Sequence, residues 1–137
     1  MTAPTHVHHF VSGADPTRAP LVLLHGSGGN ERDLVPLAEE LAPGSPILSV
    51  RGTVGIDGGF AFFHRHLGRT IDEADITART PVLAGFIEAA STRHRFTRAP
   101  VAVGFSNGAI MAAALLLTRP SLLAGCNPAS AAVTVHP

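Results

Sequence analysis

Three short, largely apolar runs constrain this chain more than any other feature: Leu21–Leu24, Ile47–Val50 with Ser49 as its one polar residue, and Val101–Val103. A strand with one wet face alternates apolar and polar residues. An uninterrupted run suits a strand buried on both faces, as in a parallel sheet between helices. Each run leads through a loop into a stretch with helical spacing, so strands alternate with helices. That order makes a right-handed α/β fold, a mostly parallel sheet flanked by helices, the expected architecture. In such sheets the functional loops gather at the carboxyl ends of the strands.

The connecting segments can be read in turn. Thr5–Val11 reads as a strand closed by the turn formers Ser12-Gly13-Ala14-Asp15-Pro16. After the second strand, Asp33 suits an N-cap, Pro36 falls in the first helical turn, and Leu34, Leu37, Ala38 and Leu41 share a face. Residues 51–70 are glycine-rich and irregular around Phe60-Ala61-Phe62-Phe63. That aromatic run suits either an acyl or aromatic pocket or plain core packing. A helix is expected over Asp72–His94, with Ile76, Leu83, Phe86, Ile87 and Ala90 as its stripe, and Pro81 should kink or split it. Asn107–Leu117 is the last expected helix. No repeat, low-complexity tract or charge block marks a second domain, so residues 1–137 read as one domain.

Several function classes are disfavoured. The formal net charge is zero, and Trp and Tyr are both missing, which argues against nucleic acid and anionic membranes as partners. The longest apolar run, Ala109–Leu117, is about half of the ~20 residues a membrane span needs. The N-terminus lacks the basic patch and apolar core of a secretory signal. Cys126 is the only cysteine, which precludes an internal disulfide and fits a reducing compartment. A cytoplasmic protein is expected.

The chemistry concentrates at Gly104-Phe105-Ser106-Asn107-Gly108, between the third run and the helix after it. A serine hydroxyl is a weak nucleophile and needs a base for its proton, plus donors for the oxyanion formed at an attacked carbonyl. The flanking glycines permit a cramped strand-to-helix turn, and the following helix aims its first N–H groups, that of Asn107 included, at developing negative charge. A second donor suits the loop His25-Gly26-Ser27-Gly28-Gly29, through the backbone N–H of Ser27. A phosphate-cradling loop is the competing reading there, but no Lys follows the glycines as a P-loop requires.

The segments LVLLHGSGGNERDLVPLAEEL, ILSVRG, FFHRHLG, DEADITARTPVLAGFIEAA and GFSNGAIMAAALLL together resemble the phospholipase/carboxylesterase branch of the α/β-hydrolases, which includes acyl-protein thioesterases. The HGSGGNE, SVRG and FSNGA motifs are most similar to small bacterial hydrolases associated with ring-cleaving dioxygenases. The likeness runs from about Val7 to Gly125. It implies Ser106 as nucleophile, Ser27 and Asn107 as oxyanion donors through their backbone N–H groups, and two-step hydrolysis of a small-molecule carboxylic ester or thioester through an acyl-enzyme. It implies no metal or organic cofactor.

The resemblance breaks at the tail, residues 126–137. In this fold an Asp or Glu and then a His follow the serine along the chain. Here no Asp or Glu follows Ser106, and the only later histidine is His136. The expectation is a C-terminally truncated or frameshifted hydrolase domain lacking its last strands. Coding DNA that reopened those strands in another frame would support it, and a clean end shared by orthologues of equal length would oppose it. Ala131–Val135 could then add one short replacement strand.

Upstream groups offer weak substitutes for the missing base and acid. His25 is better read as shaping the oxyanion loop than as a base. His64 and His66 read as pocket lining or surface, and His136 as a tail residue. His6, His8 and His9 form an HxHH pattern, but without clustered Cys or carboxylate a solvated strand face is favoured over a metal site. Glu31, Asp33, Asp57, Asp72 and Asp75 read as caps, loop contacts or helix surface. The alternative to an enzyme is an inactive fragment serving as an interaction module, with self-association through an exposed sheet edge near Val101–Val103.

Overall fold

The three apolar runs lie side by side as parallel strands, and their registers bring their carboxyl ends level. The computed structural model describes residues 5–56, 58–65 and 70–124. Its elements in chain order are β1 (His8–Val11), β2 (Leu21–Leu24), α1 (Val35–Leu41), β3 (Ile47–Val50), β4 (Val54–Ile56), β5 (Gly59–Ala61), α2 (Glu73–Arg93), β6 (Val101–Gly104) and α3 (Asn107–Thr118). The main sheet has the order β1-β3-β2-β6. β2 pairs in parallel with β3, Leu24 opposite Val50, and with β6, Leu24 opposite Gly104. β1 runs antiparallel to β3. The loops beginning at His25, Arg51 and Phe105 therefore leave the sheet next to one another.

The central strands are apolar on both faces, Ser49 of β3 apart, because each face has its own core. Val22, Leu24, Leu48, Val50 and Ala102 pack against Leu83, Phe86 and Ile87 of α2 and Met111 and Leu115 of α3, with Phe62 and Phe63 between them. Leu21, Leu23, Ile47, Val101 and Val103 pack on Ala38 of α1. Burying each such large side chain contributes roughly 1.5–3 kcal/mol.

The helical boundaries expected for residues 72–94 hold closely. The Asp72 carboxylate caps α2 by accepting the Asp75 N–H at 3.0 Å. The expected stripe is buried or packed on the core, joined by Thr80 and Ala84. Pro81 neither splits nor ends the helix. It sits on the exposed face, where a carbonyl that loses its partner is open to water.

Four expectations need correction. The first strand is shorter than expected, spanning only His8–Val11. In α1 only Ala38 is buried, while Leu37 and Leu41 are exposed, because the short helix approaches the sheet at Ala38 and the leucines flank that point. Asp33 does not cap α1; its carboxylate accepts the Asn30 N–H within the preceding loop. The segment after β3 is also less irregular than expected, since it contains the β4–β5 hairpin, with Val54 opposite Ala61.

Among the described residues β6 ends the sheet opposite β1, and no described helix is long and apolar enough to cross a membrane. Asp57, His66, Cys126, His136 and the strand expected over 131–135 lie outside the described residues.

Candidate active site

Ser106 occupies the turn between β6 and α3 with φ 52° and ψ −111°, a backbone state that costs a non-glycine residue about 1–3 kcal/mol. Its neighbours impose it. The Phe105 N–H donates to the Leu24 carbonyl at 3.1 Å, and the Gly108 N–H closes the turn on the Phe105 carbonyl at 3.0 Å. The two flanking glycines serve close packing. A Cβ on Gly104 would stand 2.7 Å from the Ala109 Cα, and one on Gly108 would collide with the Leu24 carbonyl. Ser106 stands at the N-cap position of α3, yet its hydroxyl makes no capping hydrogen bond. The hydroxyl is therefore not committed to the helix, and the helix N-terminus lies directly beside it.

Asn107 opens α3, so its backbone N–H is among those without an acceptor inside the helix. Its side chain is fully buried and holds the aromatic segment in place. Oδ1 accepts the Phe62 N–H at 2.7 Å, and Nδ2 donates to the Phe63 carbonyl at 3.3 Å. Phe62 and Phe63 are core residues, so the pocket reading of the aromatic run does not apply to them.

The loop after β2 turns tightly. The Gly29 N–H donates to the Gly26 carbonyl at 3.1 Å, with Gly28 at φ 81°, a value glycine tolerates and side chains resist. Ser27, second in that turn, takes no part in the closing bond and is exposed. The turn is laced to β5 by the Gly28 N–H donating to the Phe60 carbonyl (2.8 Å) and the Phe60 N–H donating to the Gly29 carbonyl (2.9 Å). Gly26 lies against the Phe105 ring, 2.9 Å from Cδ1 for an added Cβ. The serine turn and the glycine loop thus touch at Gly26–Phe105 and at Gly108–Leu24.

His25 is buried with both ring nitrogens engaged by backbone. Nδ1 donates to the Gly26 carbonyl at 2.7 Å, and Nε2 accepts the Gly52 N–H at 3.0 Å. That pairing fixes the neutral Nδ1–H tautomer. Burial, the largest influence, lowers its pKa, in keeping with a neutral ring. His25 builds the loop and is not available as a base.

The fold that brings the serine turn beside the glycine loop is shared with proteins of known structure. A carboxylesterase of Bacillus cereus matches the structure with a TM-score of 0.82 at 42% identity, covering 87% of this chain and 57% of that one. The chain has the α/β-hydrolase fold. A carboxylesterase from Mesorhizobium loti matches with a TM-score of 0.81 at 30% identity, over 89% of this chain and 59% of that one. MhqD of Bacillus subtilis (strain 168), which carries a hydrolase name, is 45% identical over 106 residues, 77% of this chain and 53% of its own length. No family model matches the chain. The chain spans a little over half the length of these relatives.

The remaining candidates are occupied elsewhere. Asp75 accepts the His64 N–H at 2.7 Å and pairs with Arg79 at 2.9 Å, and the His64 side chain is exposed. Among the described residues no histidine or carboxylate is hydrogen-bonded to Ser106, and no group of three His, Cys, Asp or Glu could hold a metal ion. The solvated-face reading of the N-terminal histidines is overturned for His6. It is buried against Phe86, ring centroids 5.0 Å apart, and its pKa is lowered to about 4 by burial first and by the nearby Arg79 and His8 charges. α2 supplies that cover.

Glu31 and Arg51, which lie in the HGSGGNE and SVRG motifs, form an ion pair. Arg51 Nε and Nη2 donate to the two Glu31 oxygens at 2.9 and 2.7 Å, while the guanidinium lies 4.4 Å from the Phe60 ring centroid. These hydrogen bonds hold the Glu31 carboxyl below its ordinary pKa. Glu31 makes a loop contact, as expected, but its partner was not foreseeable locally.

Proposed function

We propose that the chain carries the nucleophile half of a serine hydrolase acting on small carboxylic esters. Ser106 is the nucleophile, and the backbone N–H groups of Ser27 and Asn107 form the oxyanion hole. The observation that carries this reading is the left-handed backbone of Ser106, which leaves its hydroxyl uncapped at the N-terminus of α3. Strain of this kind persists where the surroundings over-determine it, and it concentrates at reactive sites.

In the reaction the Ser106 Oγ attacks the ester carbonyl carbon while a base takes its proton. The carbonyl oxygen gains negative charge between the two N–H donors, and the alkoxide leaves as the alcohol to give an acyl-Ser106. Water then repeats the sequence and releases the acid. Thioesters would follow the same course with a thiol leaving. This chemistry asks for no cofactor, and the single cysteine fits a cytoplasmic setting.

Labelling by a fluorophosphonate probe, read by intact mass with Ser106→Ala as control, tests the reading. Labelling that vanishes in the variant supports it. A folded sample that takes no label sinks it.

A second reading is favoured by one observation: among the described residues no base or acid is bonded to Ser106. Under this reading the domain is an interaction module that self-associates through the β6 edge. Sedimentation velocity would then show association unaffected by Ser106→Ala, and a monomer at all concentrations would refute it.

A further inference from the structure

The loop that presents Ser27 is the most permissive stretch near the site, with three glycines among residues 26–29 and both Ser27 and Gly28 exposed. An oxyanion donor works only if it is already in place when charge develops, so something must hold this loop.

The structure supplies a grip at both ends, and both parts come from the residues just after β3. At the start of the loop, the Gly52 N–H donates to His25 Nε2, and His25 Nδ1 donates in turn to the Gly26 carbonyl. At its end, Arg51 forks onto Glu31, whose side chain is only 11% exposed. The same guanidinium covers the ring of Phe60, the residue whose backbone N–H and carbonyl pair with Gly29 and Gly28. Arg51 is itself anchored, its backbone N–H donating to the Val7 carbonyl at 2.8 Å. Contacts therefore run in a closed ring from the loop to Phe60, to Arg51, to Glu31 and back along the chain to the loop.

We infer that Glu31 and Arg51 are positioning residues, a clamp that fixes the 26–29 loop and with it the Ser27 N–H. The catalytic side of this inference rests on the oxyanion role proposed for Ser27. The fork needs a planar guanidinium at this distance. A lysine could keep the charge but could neither bond both carboxylate oxygens in parallel nor stack on Phe60.

The test uses Glu31→Gln and Arg51→Lys in the full chain, with amide hydrogen exchange resolved by NMR beside phosphonate labelling kinetics. In both variants the Gly28 and Phe60 amides should exchange about tenfold faster, the scale of losing a charge-assisted hydrogen bond. Amides of β2 and β6 should keep their wild-type rates. The limiting rate of Ser106 phosphonylation should fall by about tenfold or more, with the half-saturating probe concentration unchanged. Wild-type exchange at Gly28 and Phe60 in both variants would overturn the clamp. So would faster exchange throughout the sheet, which marks a general loss of stability. If exchange responds locally while wild-type Ser106 takes no label, the clamp on the loop stands and the hydrolase reading fails.

Discussion

The backbone carbonyl of Leu24 fills the space where a side chain on Gly108 would begin. β2 and α3 meet there without an intervening side chain, and that contact sets the serine turn beside the glycine loop. The neighbour is main chain in the central strand, so it cannot move aside as a flexible side chain would. Gly108→Ala should destabilise the fold by at least ~2 kcal/mol and abolish fluorophosphonate labelling, because α3 must back away and carry Ser106 with it. Urea unfolding and intact mass give the two readouts. An alanine variant with wild-type stability would mean that the close contact is not a constraint.

Asn107 ties the serine turn to the Phe62–Phe63 segment through its side chain. Replacing it with Leu keeps the volume but leaves the buried Phe62 N–H without an acceptor. The expected cost is about 1–3 kcal/mol for the orphaned donor. Asn107→Asp restores the acceptor but sets a carboxylate beside the Phe63 carbonyl, so it should recover little of the loss. Urea denaturation of both variants decides this, and an aspartate variant as stable as wild type would contradict it.

Ser106 is held at a positive φ that suits glycine. Ser106→Gly should therefore unfold at higher urea than Ser106→Ala, by about 1 kcal/mol, although both lose the hydroxyl. Equal stability of the two would show that the turn is not strained as the backbone angles imply.

Much of this arrangement was legible in the sequence, and most of the exceptions are contacts between residues far apart along the chain. Leu21–Leu24, apolar throughout, announces burial on both faces through composition alone, and Ile47–Val50 does so but for Ser49. The ends of α2 are marked by local signals at Asp72 and His94, and the serine turn is marked by its glycines. The β4–β5 hairpin was missed because three-residue strands are too short to show alternation, although Asp57-Gly58 is a hairpin signal in its own right. The His25–Gly52 and Glu31–Arg51 contacts join residues far apart in sequence, and they meet only because β2 and β3 end level. His6 misled for the same reason. Its HxHH pattern describes a strand, but its burial is decided by Phe86 on α2.

That burial has a pH signature. His6 titrates near 6.5 when unfolded and at about 4 in the fold, so the native state favours the neutral ring. Its contribution to stability is fully present above pH 6.5 and is lost as pH falls toward 4, reaching a loss of about 2 kcal/mol by pH 5. His94, stacked on Phe10 at 3.8 Å, is shifted in the same direction by burial and by His8 and Arg93, and it adds to the loss. Glu31 and Asp75 also have lowered pKa values, but they lose their contribution only below their ordinary values of 4.5 and 3.8, which leaves the interval from pH 7 to 5 to the histidines. Urea unfolding at steps across that interval should show the wild-type midpoint falling. His6→Phe, which keeps a ring against Phe86 but cannot take a proton, should flatten the slope by about the His6 share. A wild-type midpoint that stays level from pH 7 to 5 would mean that His6 is not held neutral by the fold.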